Sequence, residues 1–151
     1  MRASRSLNPV IIRNRYNCRM NFKLVNTQKI LLVDDEDDIL EILSYNFKKS
    51  GYDVLIARNG LEGYRLATEH LPDIIVTDLW MPDMDGLLMC KHIRDMPELD
   101  HSGIIVLTAD TDEYKAIAAL NAGADEYVHK PISPMRLVAM AREVSLKHKA
   151  R

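Results

Sequence analysis

A chain of 151 residues, 47% apolar and 28% charged, has the size and balance of one globular domain that folds without a disulfide or structural metal. No stretch free of Asp, Glu, Lys and Arg exceeds nine residues, which excludes a spanning helix of about 20 apolar residues. Cys18 and Cys90 are too few and too distant for a disulfide framework or a Cys-rich zinc site, so a reducing cytoplasm is the expected compartment. The formal net charge of −2 hides a division: residues 1–29 hold seven cations and no acid, and the remainder sets thirteen cations against twenty-two acids. An acidic body of this kind disfavours direct nucleic-acid binding.

Residues 1–28 are rich in Asn, Arg and Ser and lack helical or strand periodicity, which predicts a basic, disordered extension. An Arg-rich transit segment and a translation start at Met20 are the other readings of that composition. From Lys29 onward, short apolar runs alternate with stretches of helical spacing. Ile30-Leu31-Leu32-Val33, Val54-Leu55-Ile56-Ala57, Ile74-Ile75-Val76-Thr77 and Ile104-Ile105-Val106-Leu107-Thr108 are continuous and mostly β-branched, as strands buried on both faces of a parallel sheet require. Glu126-Tyr127-Val128-His129 is more polar and suits an edge strand.

Between the runs, Ile39, Leu43 and Phe47 recur at helical spacing before Ser50-Gly51, and Leu61, Tyr64 and Ala67 before Leu71-Pro72. Leu87 and Cys90 to Ile93 precede Met96-Pro97, and Tyr114, Ile117 and Leu120 lead to Gly123, a suitable helix C-cap. Ser133-Pro134 opens the last helix as cap and first helical residue, and the cationic end Lys147 to Arg151 complements its dipole. Five strand-helix units predict an α/β fold: a doubly wound, five-stranded parallel sheet with helices on both faces. Ligands of such sheets bind beyond the carboxyl ends of the strands.

The residues at those ends converge: Asp34 and Asp35 after the first strand, Asp78 after the third, Thr108 closing the fourth, and Lys130 after the fifth. Carboxylates about 4 Å apart repel by about 4 kcal/mol at an effective dielectric of 20, so the trio needs a cation among them. Oxygen donors without His or Cys favour Mg²⁺, with Mn²⁺ as a substitute. A carboxylate beside such an ion and a Lys is suited to accept a phosphoryl group, with the Lys and the Thr hydroxyl holding its other oxygens. Asp37 and Asp38 read as first-turn helix acids, and Asp83-Met84-Asp85-Gly86 as a turn before the third helix rather than a calcium loop.

Val33-Asp34-Asp35-Glu36, Thr77-Asp78-Leu79-Trp80-Met81-Pro82-Asp83-Met84-Asp85-Gly86, Leu107-Thr108-Ala109 and Lys130-Pro131 resemble the signature of response-regulator receiver domains. These are the phosphoacceptor modules of two-component signalling and phosphorelays. The resemblance covers residues 28–148, is nearest to stand-alone chemotaxis-type receivers, and implies a flavodoxin-like strand order 2-1-3-4-5 in a domain spanning 29–151.

It implies Asp78 as phosphoacceptor and Asp34, Asp35, Asp78 and the Trp80 backbone carbonyl as Mg²⁺ ligands. Thr108 and Lys130 would hold the phosphoryl group, and the Lys130-Pro131 bond would be cis. Phosphorylation would draw Thr108 inward and let Tyr127 follow, remodelling the face of helix four, strand five and helix five on which partners dock. A histidine kinase or histidine phosphotransfer protein would be the donor, and a downstream protein the target.

Trp80 and Asp110 occupy the positions that tune phosphoryl lifetime in the family, and a Trp80 indole that screens water implies a long-lived phosphorylated state. The expected role is a signalling phosphoacceptor that assists its own phosphotransfer and dephosphorylation, not an enzyme. The alternative is the receiver part of a larger regulator with a DNA-binding or enzymatic output module. A hydrolase resembling haloacid dehalogenases would need an Asp where Trp80 stands. The five His residues show no metal spacing, and Cys90 reads as core.

Overall fold

The computed structural model describes residues 27–150 of the chain. The expected extension, targeting segment and alternative start fall on residues that, apart from Thr27 and Gln28, lie outside the described part.

Strands and helices alternate throughout: β1 (Lys29–Val33), α1 (Asp37–Lys49), β2 (Asp53–Ala57), α2 (Gly60–His70), β3 (Ile74–Thr77), α3 (Gly86–Arg94), a 3-10 turn (Pro97–Leu99), β4 (Gly103–Thr108), α4 (Glu113–Asn121), β5 (Glu126–His129) and α5 (Pro134–Lys149). All pairings are parallel and the order is β2-β1-β3-β4-β5, the doubly wound flavodoxin-like arrangement.

Strand periodicity of two divides the buried side chains into two cores. Leu31, Val33, Ile75, Ile104 and Val106 face α2, α3 and α4, meeting Ala67, Met89, Cys90, Ile93 and Ala119. Ile30, Leu32, Ile74, Val76, Ile105 and Leu107 face α1 and α5, meeting Leu40, Leu43, Phe47, Leu137, Val138, Ala141 and Val144. Continuous apolar runs are what a sheet covered on both faces demands, and β1, β3 and β4 are buried along nearly their whole length.

β2 departs from that expectation. Only Ala57 is fully buried in it, because the strand lies at the sheet edge with β1 as its one neighbour. β5 is the other edge, as its polar sequence suggests.

The helix boundaries have local causes. Asn59, Asp85, Asp112 and Ser133 each accept a first-turn backbone N–H through the side chain, capping α2, α3, α4 and α5. Pro134 sits at the start of α5, and Lys147, His148 and Lys149 occupy its last turn. Ala122 is the C-cap of α4, and Gly123, the glycine the sequence offers for this turn, follows it with φ of 111°.

Candidate functional site

Sheet register places the polar residues. β1 and β3 pair Val33 with Thr77, so Asp34 and Asp78 leave the sheet side by side. The Asp78 N–H donates to the Val33 carbonyl at 3.0 Å, continuing the ladder one step past both strands. β4 and β5 pair Thr108 with His129, and the Lys130 N–H donates to the Thr108 carbonyl at 2.8 Å. Residues from three strand ends, up to 96 positions apart, are thereby held in one crevice, with Thr108 of the fourth beside it.

Lys130 closes the constellation. Its ammonium lies 3.0 Å from Asp34 Oδ2 and 3.2 Å from Asp78 Oδ2. These three side chains are largely buried, at 15%, 6% and 11% exposure respectively. Glu36, exposed, approaches the same ammonium at 3.3 Å. The other carboxylate oxygens are also held: Asp34 Oδ1 accepts the Glu36 N–H at 2.9 Å, and Asp78 Oδ1 accepts the Leu79 N–H at 2.6 Å. Asp34, Asp35 and Asp78 each offer an oxygen within 4.8 Å of the others, with Asp35 the exposed member.

The charges are unequal in their comfort. Burial is the main influence on Asp34 and raises its carboxyl above the ordinary value, outweighing the Glu36 N–H and Lys130; the charge of Asp78 adds to the rise. For Lys130, burial acts to lower the value, but the hydrogen bond and charge of Asp34 and the charge of Asp78 prevail and raise it. The site is thus an acidic cluster with one ammonium for more than one carboxylate, and with oxygen donors alone. A small, hard divalent cation fits that donor set and deficit of positive charge.

Thr108 and Tyr127 stand beside this crevice, joined by Asp110. The buried Thr108 hydroxyl accepts the Asp110 N–H at 3.2 Å. The Tyr127 hydroxyl donates to the Asp110 carbonyl at 3.3 Å, and burial raises its value, with Asp110, Asp112 and Asp78 adding to the rise. The Trp80 indole N–H donates to Asp110 Oδ2 at 2.8 Å. The Lys130–Pro131 peptide is cis. Asp37 and Asp38 are first-turn acids, as the sequence suggests, and Asp85, in the turn before α3, is also that helix's cap. Cys90 is fully buried in the core, and burial pushes its thiol up to about 12.

Two members of this region escape sequence reasoning. Glu36 stands directly after the Asp pair, so adjacency was its available signal. Lys115 lies in α4 among ordinary surface residues, and only the folded structure brings it to Trp80 and Asp110.

Comparison with known proteins agrees with this fold. Residues 30–142 match the family described as response regulator receiver domain. The alkaline phosphatase synthesis transcriptional regulatory protein PhoP of Bacillus subtilis is 41% identical over 117 residues, covering 78% of this chain. The chain spans about half the length of that curated relative, 48%. A response regulator receiver domain protein from Clostridium thermocellum superposes with a TM-score of 0.75 at 32% identity, covering 82% of this chain and 98% of that one. The chemotaxis response regulator CheY4 of Vibrio cholerae gives 0.74 at 29% identity, covering 79% and 99%. The chain belongs to the response-regulator receiver domain family of two-component systems.

Proposed function

We propose that this chain is a phosphorylation-activated switch that accepts a phosphoryl group on Asp78 from a histidine kinase or histidine phosphotransfer protein. The observation carrying this reading is the convergence of Asp34, Asp35, Asp78 and Lys130 in one oxygen-lined crevice. Receiver domains are signalling phosphoacceptors that bind Mg²⁺ at an acidic cluster and meet histidine kinases or phosphotransfer proteins. The unit assigned to this role is residues 29–151, with 1–28 a basic extension to it. A cytoplasmic location accords with its two cysteines, of which Cys90 is buried and unpaired.

In the proposed step an Asp78 carboxylate oxygen bonds to the phosphorus of a phosphoimidazole. The P–N bond breaks, its electron pair remains on the imidazole nitrogen, which takes a proton, and an acyl phosphate is left on Asp78. Asp34, Asp35, Asp78 and the Trp80 backbone carbonyl are assigned as holders of Mg²⁺ (or Mn²⁺), whose contribution when bound is to neutralise charge on the phosphoryl oxygens. Lys130 shares that duty from the other side, exchanging its present Asp78 oxygen for a phosphoryl oxygen. Thr108 turns its hydroxyl toward the group and gives up the Asp110 N–H. Tyr127, bonded to the Asp110 carbonyl, then moves with that loop and changes the α4-β5-α5 face on which a downstream protein docks.

No turnover of a small substrate is required of these residues, and Trp80 offers no proton-transfer group in place of the second Asp a hydrolase of this chemistry would use. Acetyl phosphate with Mg²⁺ tests the proposal. The expected result is a gain of about 80 Da, one phosphoryl group, on the full chain and none on Asp78→Asn. Labelling of that variant, or multiple-turnover hydrolysis of phosphoesters by the parent, would overturn it.

A second reading is favoured by one observation, the coverage of only 48% of the PhoP regulator. The same switch would then be the receiver part of a larger regulator with a DNA-binding or enzymatic output module. The reading frame beyond Arg151 and the intact mass of the natural protein separate the two.

A further inference from the structure

Beside the acidic crevice, three elements meet in a cluster that joins the side chains of Trp80 and Asp110, expected to tune phosphoryl lifetime, to Lys115, which has no part in the step above. Trp80 lies in the loop after β3, Asp110 in the loop after β4, and Lys115 in α4. The Trp80 indole N–H donates to Asp110 Oδ2 at 2.8 Å. The Lys115 ammonium lies 3.4 Å from the same oxygen and 3.7 Å from the centroid of the Trp80 ring. A carboxylate at its edge and a cation over its face fix the plane of an indole that is otherwise 52% exposed.

Asp110 carries the connection inward. Its N–H donates to the Thr108 hydroxyl and its carbonyl accepts from Tyr127, while Oδ1 takes the Asp112 N–H at 2.9 Å, just where α4 begins.

We infer that Lys115 is a positioning residue for the chemistry at Asp78. By clasping the Trp80 indole and Asp110 together it ties the loops after β3 and β4 to α4, and so couples the survival of a phosphoryl group on Asp78 to the position of α4. Hydrolysis needs a water to reach the phosphorus, and two flanking loops fastened to each other open to water less often than two free ones. Displacing α4 pulls the ammonium from the ring and releases both loops. A contact that pulls Lys115 off the ring therefore shortens the phosphorylated state. This inference rests on the phosphoacceptor reading of Asp78.

The test uses the full chain, whose one Trp makes indole fluorescence a direct report on the clasp. Lys115→Met keeps the aliphatic stem and removes the charge, and Lys115→Arg keeps the cation over the ring. After labelling with acetyl phosphate and removal of donor, Lys115→Met should lose phosphate about three to ten times faster than the parent, the scale of one exposed cation–π contact and one partly exposed ion pair. Its Trp80 emission should be quenched more strongly by acrylamide, and Lys115→Arg should return both readouts to within about twofold of the parent.

A Lys115→Met lifetime within twofold of the parent overturns the inference. So does unchanged quenching, or failure of Arg to restore what Met removes. If no version of the chain takes phosphate, the phosphoacceptor reading itself has failed, whereas labelling with an unchanged lifetime removes the clasp alone.

Discussion

Asp34 and Lys130 form one ion pair with opposite consequences for the two partners. Asp34 is buried beside a second carboxylate, and desolvation dominates its balance. Lys130 gains more from its two acids than it loses to burial. Removing the charge at Asp34 therefore relieves the fold, and removing the charge at Lys130 leaves two nearly buried carboxylates without their cation. Without divalent ions at neutral pH, Asp34→Asn is expected to stabilise the protein, because the desolvation of its buried carboxylate outweighs the Glu36 N–H and the Lys130 ammonium that hold it. Lys130→Met is expected to destabilise it by about 2 to 4 kcal/mol, as loss of one partner of a buried pair does. Urea unfolding at fixed low ionic strength measures both, and the same sign for the two variants would contradict the asymmetry.

The loop from β3 to α3 shows how an element boundary positions chemistry. Asp85 caps α3 by accepting the Leu88 N–H at 2.9 Å, and the Gly86 N–H turns back to the Leu79 carbonyl at 2.9 Å. This folds the start of the helix onto the backbone of the acceptor residue so closely that a Cβ at Gly86 would collide with the Asp78 carbonyl. Gly86→Ala should therefore cost about 2 kcal/mol or more. It should also slow labelling of Asp78, because moving that peptide shifts the Leu79 N–H that holds Asp78 Oδ1. Asn59→Ala at the start of α2 is the matched control: loss of the cap to the Glu62 N–H should cost about 1 kcal/mol and leave the labelling rate unchanged. Stability by denaturant and labelling by intact mass, measured on both variants, distinguish a positioning turn from a merely stabilising one.

What could be read along the chain was whatever rests on local pattern: continuous apolar runs for β1, β3 and β4, caps such as Ser133, and acids or a lysine placed just past a strand. Burial of β2 was misjudged, because an apolar run does not reveal whether a strand has one neighbour or two. Contacts between surface residues far apart in sequence were illegible, since Glu36 meets Lys130 across 94 positions and Trp80 meets Asp110 across 30.

Another network of this hidden kind lies at the opposite end of the sheet. There Arg94 donates to the Gly123 and Ser102 carbonyls at 2.9 and 2.8 Å and pairs with Asp125 at 3.1 Å. Asp125 also accepts the Ile104 N–H at 2.8 Å and meets buried His148 at 2.9 Å, binding α3, β4, the turn before β5 and α5 together. Ion binding thus belongs to one end of the sheet and this network to the other, so the two should respond independently. A ligand that binds only the folded state adds about 2.7 kcal/mol at a hundredfold excess over its Kd. Arg94→Met should destabilise the protein by about 2 to 3 kcal/mol, with or without Mg²⁺, as loss of a largely buried guanidinium that leaves carbonyls and a carboxylate unmatched would, and so lower the unfolding temperature yet keep the parent's Mg²⁺-induced rise. Asp34→Asn should start higher and lose that rise. Thermal unfolding of the parent and both variants across a Mg²⁺ titration decides it: a rise abolished by Arg94→Met would mean that the two ends of the sheet are coupled.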